Sequence, residues 1–255
     1  MTDKYYRLTD DQWEVIREYL PVQRKRRHDL REIFNAILWI TRTGSQWRNL
    51  DSSFPHWRAV YYYFDQWSKA GLIKQINQAL NELARIQVEK SACPSLFLVD
   101  SQSVKLAPMI YEYRGIDGHK GINGRKRQIL TDTQGHIWAA KVHPANQHDG
   151  PAGMSLLEEL KGWEERLIKI IGDRAYGGQF ANACKSKNIQ FEVPKWPRNK
   201  KGFILEKKRW VVERSFAWLN FYRRLNKDYE HTPRSAVNFI LLANISMIIA
   251  NYTLY

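Results

Sequence analysis

Residues 96–101 read Leu-Phe-Leu-Val-Asp-Ser, and this stretch decides how the chain is organised. Four apolar residues run directly into an acid, and the run is too short for a helix and apolar on both faces. It therefore predicts a strand buried in the middle of a sheet. We expect Asp100 at or just past the carboxyl end of this strand, where open α/β sheets place their functional sites. An isolated acid at such a position could also serve only to cap a turn.

The same pattern occurs a second time, which favours the functional interpretation. Residues 167–173 read Leu-Ile-Lys-Ile-Ile-Gly-Asp, so a second apolar run ends in Asp173. Glu213 follows inside a strongly periodic segment with a tryptophan, two valines and a phenylalanine close by. These apolar neighbours indicate that the helix is packed against the protein, so Glu213 is not expected to form merely a surface ion pair with Arg209. We therefore expect the fold to bring the three carboxylates together.

The charge balance points to a polyanionic partner. The 255 residues carry 40 Lys and Arg against 26 Asp and Glu, a formal net charge of +14, and nucleic acid is the first candidate for such an excess. Residues 1–90 have 15 bases and 11 acids, and residues 91–255 have 25 and 15. The larger excess lies in the part that holds the three acids, as expected if metal-bound carboxylates work beside phosphates.

Compartment and membrane association can also be inferred. The two cysteines, Cys93 and Cys184, fit no metal spacing and no disulfide framework. The N-terminus lacks a signal-peptide pattern, and no apolar run reaches the roughly 18 residues that a membrane helix needs. We therefore expect a cytoplasmic protein without a membrane partner.

Residues 1–90 predict an all-helical domain. A capping box at Thr9-Asp10-Asp11-Gln12 opens the first helix, a second begins near Leu30 and ends near Gly44, a third follows Pro55, and a fourth runs from Leu72 to about Val88. A helix, a short connection and another helix are compatible with a helix-turn-helix that reads DNA. An ordinary helical bundle with aromatic core residues is the alternative.

Residues 91–255 predict an α/β domain. After the strand that ends at Asp100 come β-rich segments at 128–132 and 136–143, a helix that follows Asp149, the strand of residues 167–171, a short helix, and a strand at 189–193. This order, closed by the helix of Glu213, is that of an RNase H-like fold with a mixed five-stranded sheet and flanking helices. Residues 235–250 are expected to form a last apolar helix that covers the sheet.

Three basic segments are candidates for contact with DNA phosphates. One is the run at residues 24–27, the second is a glycine-rich segment at 111–127 that we expect to be a flexible loop, and the third lies at 195–209, before the helix of Glu213. The candidate DNA contacts in and beside these segments are Arg24, Lys25, Arg26, Arg27, Lys120, Arg125, Lys126, Arg127, Arg174, Lys208, Arg209 and Arg214.

Three converging acids would favour hard divalent cations. Oxygen-only ligands suit Mg²⁺ or Mn²⁺, and two such ions can activate a water or a 3′-hydroxyl and stabilise the leaving oxygen of an in-line displacement. In this interpretation Asp100, Asp173 and Glu213 hold the metals and are neither general acid nor general base.

Several ordered motifs resemble bacterial insertion-sequence transposases of the DDE superfamily, closest to the insertion-sequence-five type within the four/five superfamily. They are Val-Asp-Ser at 99–101, Gly-His-Lys at 118–120 with Gly-Arg-Lys-Arg at 124–127 and Leu-Thr-Asp at 130–132, Gly-Asp-Arg-Ala-Tyr at 172–176, and Val-Glu-Arg-Ser-Phe-Ala-Trp-Leu at 212–219. Residues 8–75 resemble the helical N-terminal region of that family.

The resemblance implies that Asp100, Asp173 and Glu213 are the DDE triad, and that Arg209 is the arginine of the Y-x2-R-x3-E-x6-K signature. Glu206 stands where that signature has Tyr, and Asn220 stands where it has Lys. Lys208, Arg214 and Arg223 are candidates to replace these two contacts.

The resemblance also implies an activity. We expect a transposase that binds terminal inverted repeats, frees a 3′-hydroxyl and joins it to target DNA, with one domain at 1–90 for DNA binding and one at 91–255 for catalysis. A homodimer or higher assembly on nucleoid DNA is implied, because two transposon ends must be held together. The alternatives are a nuclease without strand transfer and a non-catalytic DNA-binding protein descended from a transposase.

Overall fold

The chain divides into two compact units in a computed structural model that describes residues 6–23, 27–160, 162–163, 165–194 and 210–251. One unit, here called the helical unit, comprises the residues up to Ala92 together with those from Leu219 onward. The other, the sheet unit, is Cys93–Trp218. The C-terminal segment thus belongs with the N-terminal helices, whereas we had expected residues 91–255 to form one domain.

The helical unit begins and ends its helices at the signals that the sequence carries. Thr9 forms a complete capping box with Gln12, and Gly44 closes the second helix in the left-handed conformation, with φ of 70°. A single turn of 3-10 helix lies at residues 47–49. The unit contains α1 (Asp10–Arg17), α2 (Leu30–Thr43), α3 (Trp57–Lys69), α4 (Leu72–Gln87) and α8 (Pro233–Asn251).

The last helix, α8, does not cover the sheet as we expected. It packs against α2, α3 and α4, and Asn244 donates hydrogen bonds to the side-chain oxygens of Asn77 (2.7 Å) and Asn81 (3.0 Å) inside this bundle. Among the described helices, α8 alone is long and apolar enough to cross a membrane by length and composition, but 67% of it is buried within the protein. Burial inside a bundle is what a core helix requires, so its composition is weak evidence for a membrane.

The sheet unit confirms the predicted fold class. Its sheet has the order β4-β3-β1-β5-β6: β1 pairs antiparallel with β3 and β3 with β4, whereas β1, β5 and β6 are parallel. Helical crossovers join β4 to β5 and β5 to β6, which gives the RNase H-like order. The elements are β1 (Leu96–Lys105), β2 (Gly115–Asp117), β3 (Ile122–Thr131), β4 (Ile137–Pro144), α5 (Asp149–Glu158), β5 (Lys169–Ile171), α6 (Gln179–Ser186), β6 (Gln190–Glu192) and α7 (Trp210–Leu219).

Two details of the sheet differ from the sequence prediction. β1 continues for five residues beyond Asp100, so this acid lies within the strand and not at its end. The segment that we expected to be a flexible basic loop forms a hairpin of β2 and β3, which adds a sixth short strand. Backbone pairing of β3 with β1 and β4 from Arg125 onward, and with β2 before that, explains the order of this segment.

Candidate active site

Two of the predicted acids follow neighbouring parallel strands at matching positions. Leu98 of β1 pairs with Ile171 of β5, and Asp100 and Asp173 each follow two residues later. Residues in matching register on parallel strands lie on the same face, roughly 5 Å from strand to strand. Both acids are partly exposed, so they are open to solvent at the same edge.

Main-chain N–H groups orient both carboxylates. The amide of Ser101 donates to Oδ1 of Asp100 at 2.7 Å, and the amide of Ala175 donates to Oδ1 of Asp173 at 2.9 Å. The second bond caps the 3-10 turn of residues 174–176. Each backbone N–H group therefore fixes one oxygen of its carboxylate before any ligand binds.

The residue before Asp173 has to be glycine. A Cβ at Gly172 would lie 2.5 Å from Cγ1 of Val99 and 3.1 Å from Cε2 of Phe191. The missing side chain therefore permits the close approach of the two strands that brings the acids together.

Gly172→Ala should consequently reduce both stability and cleavage. The added methyl group forces β1 and β5 apart, and such overpacking costs about 1–3 kcal/mol. Denaturant unfolding and a DNA cleavage assay would measure the two effects. Val99→Ala combined with Gly172→Ala removes the clashing Cγ1 and should recover part of the cleavage. No recovery in the double variant would contradict this packing argument.

A buried tyrosine lies beneath the acid pair. Tyr176 is fully buried within the sheet unit. Burial first, and then the negative charges of Asp149, Asp100 and Asp173, raise the pKa of Tyr176 well above its ordinary value of 10.0. The tyrosine is therefore neutral at physiological pH, and its side chain packs beneath the two aspartates. It lies within a motif that we quoted, but sequence reasoning gave it no role, because only the fold places it under the acids.

The third predicted acid, Glu213, is exposed on α7. The helix is fixed on the turn between β3 and β4 by Ser215, which donates to the carbonyl of Gly135 (2.8 Å), and by Arg214, which donates to that of Gln134 (2.6 Å). Throughout the described ranges, no three His, Cys, Asp or Glu residues are grouped closely enough to hold a metal ion. The structure thus places Asp100 and Asp173 after neighbouring strands and Glu213 on α7, and the role of Glu213 in the site stays a prediction.

The donor set can still be tested for its fit to a divalent cation. Two adjacent, backbone-oriented carboxylates provide oxygen ligands of the kind that Mg²⁺ and Mn²⁺ prefer, and Mg²⁺ is often bound through one or two carboxylates with waters and phosphate oxygens. The Asp100–Asp173 pair fits this chemistry.

The predicted basic contacts that the structure describes fall into three groups. Arg27, Lys120 and Arg174 are exposed. Arg125, Lys126 and Arg127 are buried within β3, where Lys126 pairs with Asp149 at 3.2 Å and Arg125 donates to the carbonyl of Glu112 at 2.7 Å. Arg214 stacks on Trp210 and Trp218, with its guanidinium carbon 4.4 Å from each ring centroid.

These placements correct the sequence interpretation for three residues. Arg125, Lys126 and Arg127 are directed into the protein, where strand pairing holds them, so they do not form an exposed phosphate-tracking surface. Arg214 is partly exposed, and its contact with DNA stays a prediction. The remaining predicted contacts, Arg24, Lys25, Arg26, Lys208 and Arg209, lie outside the described residues, as does Glu206.

Taken together, the strand order and the acid pair define an RNase H-like phosphoryl-transfer enzyme. Residues 91–249 match the family model described as "Transposase DDE domain". The chain belongs to this family and is a DDE transposase by class. Residues 8–77 match a second family model, described as "Putative transposase of IS4/5 family (DUF4096)".

Two curated relatives are similar to parts of the chain. The chain is 32% identical over 84 residues to "Uncharacterized protein y4sN" of Sinorhizobium fredii, an alignment that covers 31% of this chain and 67% of the relative. It is 32% identical over 115 residues to "Putative transposase for insertion sequence element IS402" of Burkholderia cepacia, covering 42% of this chain and 54% of that relative. The second alignment thus spans about half the length of the relative.

Solved structures with related folds are more distant. The catalytic core domain of BIV integrase has 14% identity and a TM-score of 0.34, with 57% of this chain and 81% of that chain covered. A chain of the simian T-cell lymphotropic virus intasome in complex with PP2A regulatory subunit B56 gamma has 18% identity and a TM-score of 0.39, with 58% and 48% covered. Both scores are low, so the fold assignment rests on the strand order.

Proposed function

We propose that this chain is the transposase of an insertion sequence, which binds the terminal inverted repeats, frees a 3′-hydroxyl and joins it to target DNA. The observation that supports the proposal is the parallel register of β1 and β5, since Asp100 and Asp173 each follow the paired residues Leu98 and Ile171 by two positions. Family membership supplies the reaction class, and the acid pair supplies a place for it.

In this proposal Asp100 and Asp173 hold the divalent ions, and Glu213 completes the set from α7. Bound Mg²⁺ or Mn²⁺, in one or two sites, would activate the attacking hydroxyl and stabilise the leaving oxygen. The amides of Ser101 and Ala175 keep the two aspartates oriented before DNA arrives. The role of Glu213 rests on its place in the Val-Glu-Arg-Ser motif and is tested separately below.

DNA phosphates near the site would contact exposed basic side chains. Arg174 directly follows Asp173 and is exposed, and Lys120 is exposed in the β2–β3 hairpin. We assign both to contacts with the DNA backbone, together with Arg27 in the helical unit. Arg24, Lys25, Arg26, Lys208 and Arg209 remain candidates on sequence grounds alone.

The helical unit offers its own DNA-contacting surface at the start of α3. The guanidinium carbons of Arg48 and Arg58 lie 5.8 and 5.5 Å from the ring centroid of Trp57. Both arginines are exposed, and stacking on the same ring orders them in advance. The connection between α2 and α3 spans residues 44–56, longer than the turn of about 3–4 residues in a compact helix-turn-helix. We propose that Arg48 and Arg58, ordered by Trp57, contact duplex DNA, and that the unit does not use a compact helix-turn-helix for this contact.

Arg48→Ala and Arg58→Ala should each weaken binding to repeat-end duplex by about tenfold at fixed salt, the range of a specific arginine contact. Anisotropy titrations at several salt concentrations would measure the affinity and its salt slope. Arg17→Ala is the matched control, because Arg17 is exposed in the same unit and pairs with Glu14 at 2.8 Å. If the control weakens binding as much as the other two, the assignment of this surface is wrong.

Metal-dependent cleavage and joining test the whole proposal. A duplex that carries the DNA ends flanking the gene should be nicked only when Mg²⁺ or Mn²⁺ is added, and pre-cut ends should be joined to a plasmid. Cleavage without joining would identify a nuclease, and binding without either would identify a non-catalytic DNA-binding protein. Because two ends must be held together, we also propose a dimer or higher assembly on DNA, acting in the cytoplasm at the nucleoid.

A further inference from the structure

The sheet unit exposes a group of large apolar side chains just beyond the end of β1. Within residues 109–116, here called the tyrosine loop, the exposed fractions are 60% for Met109, 72% for Tyr111, 56% for Tyr113 and 60% for Ile116. Neither the acid site nor the sheet core uses these side chains. An exposed apolar group of this size indicates a binding surface.

The loop is held in a defined conformation from beneath. Leu106, Ala107 and Ile110 form a small buried cluster at its base. The buried Arg125 donates to the carbonyl of Glu112 at 2.7 Å, and Arg114 donates to that of Ile110 at 2.7 Å. These contacts give the buried Arg125 a role, which is to position the loop.

The backbone at Tyr113 is strained. Its φ of 53° lies in the left-handed region, which a bulky residue rarely adopts. The guanidinium carbons of Arg125 and Arg114 lie 5.9 and 5.1 Å from the ring centroids of Tyr113 and Tyr111. The surrounding contacts maintain this strained backbone although both rings remain largely exposed to solvent. Strain of this kind is typical of functional sites, so we infer that the exposed rings bind a ligand.

Charge and distance identify the partner. Residues 105–120 have three exposed basic side chains, Lys105, Arg114 and Lys120, and one exposed acidic side chain, Glu112. Asp117 is buried and accepts a hydrogen bond from Ser103, which lowers its pKa. The five residue steps of β1 from Asp100 to Lys105 span about 17 Å, the length of roughly five stacked nucleotides. DNA whose reacting phosphate lies at Asp100 therefore reaches the loop.

We propose that the tyrosine loop is a stacking platform for unpaired bases of the DNA end that is being processed. Tyr111 and Tyr113 stack on the bases, and Arg114 faces the adjacent backbone. Base–aromatic stacking tolerates any sequence and suits exposed rings beside cations. The inference rests on the proposed function, since it places the reacting phosphate at the acid pair. The local positive charge favours DNA over a second copy of this chain, which carries the same charge.

The test measures binding without divalent ions, so that it is independent of cleavage. A labelled blunt duplex is compared with the same duplex carrying a single-stranded extension of about five deoxyadenosines. The whole chain should bind the extended duplex more tightly. Tyr111→Ala and Tyr113→Ala should each reduce that preference about tenfold, whereas Tyr111→Trp should retain it. Ile168→Ala is the matched control, because Ile168 is 65% exposed in the same unit and precedes β5, at the end of the sheet away from the acids.

Three results would overturn the proposal: equal affinity for the two duplexes, an equal loss with Ile168→Ala, or a change of oligomeric state on light scattering when the tyrosines are replaced. The last result would identify the loop as a contact between copies of the chain. Asp100→Asn should keep the preference for the extended duplex while it loses cleavage. Cleavage that persists in Asp100→Asn overturns the proposed function, whereas loss of the preference in the tyrosine variants alone is specific to the loop.

Discussion

Replacement of Asp100 or Asp173 by Asn is expected to reduce strand cleavage and joining by about 10³-fold or more. A bound metal stabilises the transition state by several kcal/mol, and each 1.4 kcal/mol is about a factor of ten in rate. An amide keeps the size and most hydrogen bonds of the carboxylate but removes the negative charge that holds the ion. DNA affinity without divalent ions should therefore stay within about twofold, since the surfaces that bind DNA phosphates are unchanged.

Two further variants make this result specific. Glu192→Gln is the matched control, since Glu192 lies on the neighbouring strand β6 and its carboxylate pairs with Lys169 at 2.6 Å. It should cleave nearly as well as the parent chain. Glu213→Gln tests the third acid: a loss like that of Asp100→Asn would assign it to the site, and near-normal cleavage would limit the site to the aspartate pair. Cleavage retained by Asp100→Asn would refute the catalytic assignment itself.

Replacement of Arg224 by Met should cause the largest loss of stability in the helical unit, about 3–5 kcal/mol. Arg224 donates to Oε1 of the buried Glu230 from Nε at 2.8 Å, and its guanidinium lies 5.0 Å from the ring centroid of Phe239. Methionine fills part of the space but leaves a buried carboxylate without this partner. Denaturant unfolding would measure the loss, and Arg17→Met, which breaks an exposed pair with Glu14, should cost less than about 1 kcal/mol.

The loss at Arg224 should depend on pH. Burial raises the pKa of Glu230, and the charge of Arg224 opposes that rise. Without the arginine, burial is less opposed, so the folded variant takes up a proton more readily than the unfolded chain. Since the folded state then binds more protons, stability falls as the pH rises from the ordinary value of 4.5 through the raised pKa.

The deficit of Arg224→Met should therefore be smallest near or below pH 4.5 and largest at neutral pH. Glu230→Gln combined with Arg224→Met should remove this pH dependence and recover part of the stability, because a neutral amide replaces the buried charge. A deficit that is constant from acid to neutral pH would show that the ion pair contributes little and that lost packing explains the effect.

Local signals in the sequence were sufficient for most of the secondary structure. The capping box at Thr9, the glycine that ends α2 at Gly44 and the apolar stripes of α2 to α4 act within a few residues, so each could be recognised without knowledge of the rest of the fold. The apolar runs that end near Asp100 and Asp173 likewise predicted two buried strands, and their order along the chain predicted the RNase H-like sheet.

Other features depend on residues far apart in the chain, and these only the tertiary structure decided. Hydrogen-bonded pairing on both sides of β3 buries Arg125, Lys126 and Arg127, although their composition alone is typical of an exposed basic loop. The apolar helix α8 was expected on the sheet but packs with α2 to α4, because a hydrophobic surface does not specify which partner covers it. Burial and register are set by long-range pairing. The sequence by itself therefore determined that two buried strands lead towards Asp100 and Asp173, and the fold determined that these strands are parallel neighbours in matching register and that β1 continues past Asp100.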